Sequence, residues 1–298
     1  MSLNYNSPRE LCAFLEERGL GMRKRFGQNF LIDPLARRKL LDALEINPGA
    51  EIWEIGAGLG AMTAGLLERS WQVTAFEIDP GFAGALMELF GKNPSFRLIE
   101  GDVFKTWPTV KIAGPGTGEE LFLFGNLPYN IAAALLADFI EKGRFFRRMV
   151  VTVQREVALR MAAGPGSPDY SSFSILCSSI YKVTPLQIIK ASSFYPAPRV
   201  DSQGVRLDLI TERNVLPRLF YPLVRSLFSS RRKTIRNTLS AFAASAIITR
   251  NSGNVSLHGK EAANEALRKA GISGDRRPET LGIEEFAALA AFLEDCYR

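Results

Sequence analysis

Short apolar runs alternate with amphipathic segments through the first half of the chain. Five of these runs predict β-strands: "EIWEIG" (51–56), "QVTAFEID" (72–79), "FRLIEGD" (96–102), "ELFLFGN" (120–126) and "RRMVVTVQ" (147–154). Three segments between them predict helices: "AMTAGLLERS" (61–70), "GFAGALMELFG" (81–91) and "IAAALLADFI" (131–140). Short apolar strands that alternate with helices are typical of a parallel sheet with helices on both faces. The pattern therefore predicts an α/β fold.

From about residue 212 the pattern changes to helices alone. The segment 216–239 places seven apolar residues on one helical stripe: Leu216, Leu219, Phe220, Leu223, Val224, Leu227 and Phe228. A second stripe lies within 283–297 and consists of Phe286, Leu289, Phe292 and Leu293. The sequence therefore predicts an α/β domain over residues 1–211 and a small all-α domain over residues 212–298.

The composition is that of an ordinary globular protein. Hydrophobic residues make up 46% of the 298 residues, and charged residues make up 23%. No apolar run reaches the roughly 18–20 residues that a membrane-spanning helix needs. The N-terminal segment carries acids early and has no long apolar stretch, so a secretory signal is not indicated. We therefore expect a cytoplasmic protein without a membrane partner.

The cysteines and the histidine indicate little chemistry of their own. Cys12, Cys177 and Cys296 are far apart and lack the spacing of a metal site, so we expect reduced thiols and no bound metal. His258 is the single histidine, and it lies in a stretch rich in Asn, Ser and Gly. We expect it at the surface, so neither a His-based catalytic triad nor a His-ligated metal site is indicated.

Positive charge is concentrated in the smaller predicted domain. Residues 212–298 contain 14 Lys and Arg against 9 Asp and Glu, a net charge of +5, whereas residues 1–211 contain 23 against 22. A basic small domain beside a nearly neutral large one suggests a polyanionic partner. The alternative is a charge that serves solubility.

Three strand ends in the first domain carry residues suited to a nucleoside cofactor. "EIGAGLG" (54–60) follows a strand and opens a helix, and its glycines let the backbone pass close to a ligand. Glu77 ends the next strand, where a carboxylate can accept hydrogen bonds from both ribose hydroxyls. Asp102 ends the third strand, where a carboxylate can accept from an adenine amino group. A glycine loop alone could be a tight turn, but three such strand ends together favour an adenosine-type ligand.

The spacing of the glycines narrows the choice of cofactor. The loop reads GxGxG, whereas the dinucleotide fingerprint reads GxGxxG, and no phosphate-binding lysine follows. The sequence therefore favours S-adenosylmethionine over NAD or ATP.

The run "FGNLPY" (124–129) leads to a family. Asn126–Tyr129 resembles the (Asp/Asn/Ser)-Pro-Pro-Tyr motif of methyltransferases that act on the N6 amine of adenine. From about Lys24 onward the chain resembles the small-subunit ribosomal RNA adenine N6,N6-dimethyltransferases, the kasugamycin-resistance methyltransferase family. Eight motifs carry the resemblance in order: "KRFGQNFL" (24–31), "EIGAGLG" (54–60), "FEIDP" (76–80), "EGDV" (100–103), "FGNLPYNI" (124–131), "VQREVALR" (153–160), "FYPAPRVDS" (194–202) and "RRKTIRNTL" (231–239).

The chemistry of an aromatic amine explains the residues of this motif. An adenine N6 lone pair is delocalised into the ring and is a poor nucleophile. The Asn126 side-chain oxygen and the Leu127 carbonyl can accept from the two N–H groups and free the lone pair. Pro128 restricts the residue before it and has no N–H of its own, and Tyr129 can stack on the base. Such catalysis works by positioning and electrostatics; the alternative for the motif alone is a strand-to-helix turn.

The resemblance also assigns residues outside this motif. It places Gln28, Asn29, Leu31 and Val103 with Gly56, Gly58, Glu77, Asp102 and Asn126 at the cofactor. It places Phe194 on the side of the target base opposite Tyr129; the alternative is a core aromatic. Four basic residues would contact rRNA phosphates: Arg231, Arg232, Lys233 and Arg236. The alternative for these four is a solvated helix end.

The resemblance implies a fold and a reaction. The fold would be a Rossmann-like methyltransferase sheet with helices on both faces, followed by a helical rRNA-binding domain. The reaction would be dimethylation of N6 on two adjacent adenines of small-subunit (16S-type) rRNA, in a partly assembled ribosomal particle, and we expect a monomer. Two alternatives are an assembly or transcription factor that binds RNA without methylating it, and a DNA adenine methyltransferase.

The sequence departs from the family pattern at three places. Ala132-Ala133-Ala134 replace the usual Ser/Thr-Pro pair, Ala57 replaces a proline, and Ser171 replaces a glycine. None of these positions carries a cofactor or amine contact proposed above.

Overall fold

The structure is a computed structural model that describes residues 3–22, 27–110, 121–212, 215–248 and 255–296; for 246–248 and 255–258 it describes the backbone. Within these residues nine strands form: β1 (Phe30–Leu31), β2 (Glu51–Ile55), β3 (Gln72–Glu77), β4 (Phe96–Glu100), β5 (Leu121–Asn126), β6 (Arg148–Gln154), β7 (Tyr181–Ile189), β8 (Phe194–Tyr195) and β9 (Ser202–Leu209). Twelve α-helices form as well: α1 (Pro8–Glu17), α2 (Pro34–Asp42), α3 (Ala61–Glu68), α4 (Pro80–Phe90), α5 (Val103–Thr106), α6 (Ala132–Glu141), α7 (Arg155–Ala162), α8 (Ser172–Ser178), α9 (Phe220–Phe228), α10 (Ile235–Ile248), α11 (Val255–Ala270) and α12 (Ile283–Cys296).

Seven strands form the main sheet in the order β4-β3-β2-β5-β6-β9-β7. The first five are parallel, and they are the five strands that the apolar runs predict. Because parallel strands share a direction, the carboxyl ends of β2, β3, β4 and β5 lie at one edge of the sheet. This edge carries the glycine loop, Glu77, Asp102 and Asn126–Tyr129, which the sequence assigns to the cofactor and to the target amine.

The last two strands of the sheet, β9 and β7, are antiparallel to their neighbours and were not predicted. β7 contains Pro185, and the pairing of β7 with β9 shifts register between Pro185 and Ile188. Proline cannot donate to a sheet, so it is confined to edge strands and bulges. β7 is one of the two edge strands of this sheet, which explains why its sequence does not read as a buried strand.

Two helices, α2 and α4, each begin with an aspartate followed by a proline. The Asp33 side chain accepts from the N–H of Leu35 at the start of α2, and Asp79 accepts from the N–H of Gly81 at the start of α4. An aspartate before a first-turn proline is a strong helix start. The "IDP" of the "FEIDP" motif is therefore a helix start that follows directly after Glu77, the acid predicted to bind the cofactor.

β1 and β8 form a second, two-stranded sheet that is not hydrogen-bonded to the main one. Phe30 pairs with Tyr195, and Leu31 pairs with Phe194. Leu31 and Phe194 belong to a buried cluster that also contains residues of the main sheet, among them Phe124 and Val150. The N-terminal motif "GQNFL" and the "FYPAP" segment are therefore neighbours in the fold.

The chain divides into two compact units. The first consists of Met1–Leu159 and Tyr181–Leu209, and the second of Arg160–Ile180 and Ile210–Arg298. The boundary drawn from sequence near residue 211 places 160–180 in the first domain instead. Within the second unit the Tyr170 hydroxyl donates to the Leu281 carbonyl at 2.9 Å, and Ile175 packs in the same buried cluster as the helices α9 to α12.

The second unit is helical, as its apolar stripes predict, but the helix expected over 216–239 is two helices. α9 ends at Phe228, α10 begins at Ile235, and the basic residues 231–233 lie between them. Ser171, where the resembling family has glycine, caps α8 through a reciprocal pair of bonds with Ser174. Among the described helices, none is long and apolar enough to cross a membrane. The three cysteines are free thiols, with Cys177 buried and Cys296 exposed.

Candidate active site

A pocket opens at the carboxyl ends of β2, β3 and β5. Seventeen described residues line it: Gly27, Gln28, Asn29, Phe30, Leu31, Glu54, Gly56, Ala57, Gly58, Ala61, Met62, Glu77, Ile78, Asn126, Leu127, Pro128 and Tyr129. Ten of them are residues that the sequence assigns to the cofactor or to the target amine. The pocket therefore brings together motifs that are about one hundred residues apart in the chain.

The glycine loop needs glycine for two different reasons. Gly56 and Gly58 have φ of +72° and +59°, a region that residues with a Cβ rarely adopt. Gly60 has φ +87°, and a Cβ there would lie 2.3 Å from the Phe90 ring. Gly56 and Gly58 thus expose their backbone to the pocket. Gly60 has no side chain, which allows the first turn of α3 to pack closely against Phe90 of α4.

The Glu77 carboxylate is held by backbone donors on both oxygens. Its Oε2 accepts from the Gly58 N–H at 2.7 Å and its Oε1 from the Asp79 N–H at 2.8 Å. Burial raises the pKa of the Glu77 carboxyl, and these two bonds act in the opposite direction. Since a carboxylate oxygen has two acceptor positions, each oxygen keeps the capacity to accept from a ribose hydroxyl.

Glu54 is a second buried acid in the pocket wall, which the sequence analysis did not single out. Its side chain is 2% exposed, and its Oε2 accepts from the Thr63 hydroxyl at 2.6 Å. Burial raises the pKa of Glu54 to about 8; the Thr63 bond opposes this rise and the neighbouring Glu77 adds to it. The signal in the sequence was a charged residue inside the apolar strand "EIWEIG".

The end of β5 holds Asn126 and Leu127 in fixed orientations. The Asn126 Nδ2 donates to the Asn29 carbonyl at 3.0 Å, which leaves the Oδ1 end of the amide as the acceptor. The Leu127 N–H donates to the Thr152 carbonyl at 3.1 Å. A Cβ on Gly125 would lie 2.5 Å from a Leu127 methyl, so the glycine of "FGNLPY" makes room for the buried leucine.

Pro128 and Tyr129 complete the motif. The Pro128 carbonyl accepts from the N–H groups of Ile131 and Ala132, so the turn leads directly into α6, which begins without a side-chain cap. The Tyr129 ring is half-buried, and its hydroxyl lies 2.5 Å from the Ser202 Oγ. Burial raises the pKa of the Tyr129 phenol, and the bond to Ser202 opposes this rise.

Two residues of the N-terminal motif fix the rim of the pocket. The Asn29 Nδ2 donates to the Gly27 carbonyl at 3.0 Å, and the Gln28 Nε2 donates to Asp79 at 3.3 Å. These bonds tie the segment that follows residue 26 to itself and to the start of α4. The first three residues of the motif, 24–26, lie outside the described residues.

Three predicted site residues are not among the described residues that line this pocket. Asp102 caps α5 by accepting from the Phe104 N–H at 3.0 Å, and Val103 is buried in the first turn of that helix. Phe194 is 3% exposed and packs in the buried cluster with Leu31. The roles of these residues at the cofactor and the target base stay predictions.

The predicted RNA cluster lies at the start of α10 in the second unit. Arg231, Arg232, Lys233 and Arg236 are all exposed. Arg231 bonds the Pro168 carbonyl at 3.4 Å, and Arg236 reaches Asn264 at 3.3 Å and Asp275 at 3.9 Å. His258 lies in α11, but its side chain is outside the described residues.

Comparisons with known proteins agree with the motifs. The model of the family described as ribosomal RNA adenine dimethylase matches residues 19–269. Ribosomal RNA small subunit methyltransferase A of Treponema denticola is 42% identical over 293 residues, which cover 96% of this chain and 94% of that protein. The protein of the same name from Borreliella burgdorferi is 39% identical over 292 residues, with 97% and 95% covered.

Solved structures agree at the level of the fold. A dimethyladenosine transferase from Plasmodium falciparum is similar with a TM-score of 0.69 and 25% identity, covering 86% of this chain and 94% of that one. The 23S rRNA methyltransferase ErmE is similar with a TM-score of 0.61 and 21% identity, covering 89% and 99%. The second likeness concerns the fold alone.

Proposed function

This chain belongs to the ribosomal RNA adenine dimethylase family, and we propose that it dimethylates N6 of two adjacent adenines in small-subunit rRNA with S-adenosylmethionine as methyl donor. The single observation that carries the proposal is the position of Asn126–Tyr129 in the wall of the pocket that Gly56, Gly58 and Glu77 also line. The motif that we propose binds the amine and the acid that we propose binds the nucleoside thus line one cavity.

The residues of the pocket fit this cofactor. Glu77 offers two oriented oxygens to a ribose diol, and the glycine loop offers backbone at close range. The ionisable side chains among the described lining residues are those of the acids Glu54 and Glu77, and this lining includes no cation. A pocket wall without a cation disfavours the phosphates of NAD or ATP. S-adenosylmethionine supplies a methyl group on a positively charged sulfur when it is bound.

The residues Asn126–Tyr129 would activate the adenine N6 amine by binding and orienting it. Asn126 Oδ1 and the Leu127 carbonyl would each accept one N–H of the adenine amine, which draws the lone pair out of conjugation. Tyr129 would stack on the base. Such stacking contributes roughly 1–3 kcal/mol of binding free energy, which helps offset the cost of taking the base out of its stack. No strong base is required for this reaction, in keeping with a chain whose single histidine lies outside every motif.

The RNA partner is supported by the basic second unit. Arg231, Arg232 and Lys233 are exposed together between α9 and α10. Contacts of this kind position nucleic acid through its phosphates without reading bases. We propose that they bind rRNA of a partly assembled small subunit, and that the protein acts there as a monomer.

A methyl-transfer assay with labelled S-adenosylmethionine tests the proposal. Immature small subunits, naked rRNA and DNA are offered in parallel, and the modified nucleosides are identified by mass spectrometry. We expect dimethyladenosine in the rRNA of the particles, and no product from the Asn126→Ala variant on the same substrate. Binding of cofactor and particles without transfer would identify an RNA-binding protein instead, and transfer to DNA alone would identify a DNA methyltransferase.

A further inference from the structure

The hydroxyl group of Tyr129 has no role in stacking, because stacking uses the faces of the ring. In this fold the hydroxyl oxygen lies 2.5 Å from the Oγ of Ser202, 73 residues away in sequence, and either group can donate. Tyr129 lines the pocket, whereas Ser202 is 0% exposed. The bond therefore joins a ring in the active-site wall to a fully buried side chain.

The register of the main sheet explains how Ser202 reaches the motif. Asn126 lies opposite Thr152 in the parallel pair of β5 and β6, and Thr152 lies opposite Gly204 in the antiparallel pair of β6 and β9. Residues opposite one another share a face of the sheet, and so do residues two apart on one strand. Ser202 is therefore on the same face of the sheet as Asn126.

Ser202 is also a rigid point in the molecule. Its strand, β9, lies between two neighbours, and Ser202 pairs with Gln154 on one side and with Ile189 on the other. A serine side chain has a single side-chain torsion, so a serine in the interior of a sheet holds its hydroxyl at a nearly fixed place. Tyr129, in contrast, lies on the turn after β5, where its ring needs a second point of attachment to keep one direction.

We infer that Ser202 is a positioning residue for methyl transfer, which holds the Tyr129 ring by its tip so that a stacked adenine presents N6 to the cofactor. This inference rests on the proposed function. The bond fixes the direction of the long axis of the ring, and therefore where the ring lies in the pocket wall when a base stacks on its face. Reaction rates fall steeply when reacting atoms leave their aligned positions, so the bond affects the chemical step and not the cofactor contacts.

A double-mutant cycle separates this role from simple packing. The variants are Ser202→Ala, Tyr129→Phe and the two combined, and the readouts are kcat and KM on immature small subunits, cofactor affinity by calorimetry, and melting temperature. Ser179→Ala is the matched control, because the Ser179 Oγ lies 3.3 Å from the Tyr221 hydroxyl in the second unit. Like Ser202→Ala, this variant loses a serine–tyrosine hydrogen bond, but neither of its two residues lines the pocket.

We expect each single variant to lower kcat about three- to tenfold, the scale of one hydrogen bond. The double variant should be no slower than Tyr129→Phe alone, cofactor affinity should stay within about twofold, and the control should transfer at the normal rate. Losses of kcat that multiply in the double variant, or a change in melting temperature alone, would overturn the role of Ser202. Absence of transfer by the unaltered protein would instead overturn the proposed function, and this inference with it.

Discussion

The backbone N–H of Gly58 lies 2.7 Å from the Oε2 of Glu77, so the glycine loop and the acid of the next strand are hydrogen-bonded to each other. The carboxylate orients the loop, and the loop orients the carboxylate. Because Gly58 has φ +59°, this contact depends on a backbone conformation that favours glycine. The two motifs that are predicted to bind the cofactor therefore form one hydrogen-bonded unit.

Replacing Glu77 should weaken the cofactor complex without unfolding the protein. Glu77→Ala removes two acceptors for the ribose, and we expect S-adenosylmethionine binding to weaken by about 1.5–3 kcal/mol, the scale of hydrogen bonds to a charged group. Isothermal calorimetry measures the affinity. The matched control is Glu88→Ala, which removes an exposed carboxylate paired with Arg18 and should leave the affinity unchanged. Wild-type affinity in a folded Glu77→Ala protein would reject the assignment.

Methyl transfer should depend on Asn126 and not on histidine. Asn126→Ala removes an acceptor that would bind the amine as charge develops on it, and we expect a rate loss of about 10²–10³. His258→Ala should stay within about threefold of the normal rate, since a mechanism of positioning needs no imidazole base. Single-turnover transfer to small subunits measures both rates. Equal impairment of the two variants would contradict the positioning mechanism.

The buried carboxyl of Glu54 should make folding stability depend on pH. Its pKa is about 8 in the folded protein against an ordinary value of 4.5. Below pH 4.5 the Glu54 carboxyl is protonated in both the folded and the unfolded state, so it does not make the free energy of unfolding depend on pH. Between the two values it ionises in the unfolded chain only, so rising pH removes stability, and above pH 8 the whole cost of burying a charge is present.

The variant Glu54→Gln tests this dependence, because an amide keeps the size and loses the titration. Between pH 5 and 8 the free energy of unfolding of the variant, relative to the unaltered protein, should rise by up to about 1.4 kcal/mol for each pH unit. Denaturant titration at a series of pH values measures it. A difference that stays constant over this range would show that Glu54 ionises normally in the folded state.

The parallel half of the fold could be predicted because its signals are local. β2 and β3 are apolar runs whose ends carry the loop at Gly56 and the acid Glu77, and the structure has both strands within two residues of the predicted ends. β7 gave no such signal, since Pro185 interrupts it and many of its side chains are half-exposed. β7 is therefore recognised from its pairing with β9 and not from its own sequence.

The part of the site that escaped prediction depends on long-range pairing. The bond between Tyr129 and Ser202 exists because β9 returns antiparallel beside β6, which no local pattern around Ser202 indicates. Glu54 was not predicted for another reason. An acid within an apolar strand is found on half-exposed sheet faces as well as in pocket walls, so the sequence alone does not distinguish the two positions. Phe194 is 3% exposed and packs in the buried cluster with Leu31, and its place beside the target base stays a prediction.

The exposed basic residues between α9 and α10 should set the salt dependence of particle binding. Each phosphate contact adds roughly 0.7–0.9 to the slope of log affinity against log salt concentration. Changing Arg231, Arg232 and Lys233 to alanine should therefore flatten the slope by about two units if all three contact phosphate, as filter retention across a salt series would measure. Cofactor affinity should not change, since the glycine loop and Glu77 belong to the other unit. The matched control changes three exposed cations of α11 to alanine: Lys260, Arg268 and Lys269. An equal effect of the two triple variants would mean that net charge alone attracts the particle, and an unchanged slope would mean that residues 231–233 are a solvated surface and that the large unit carries the rRNA contacts.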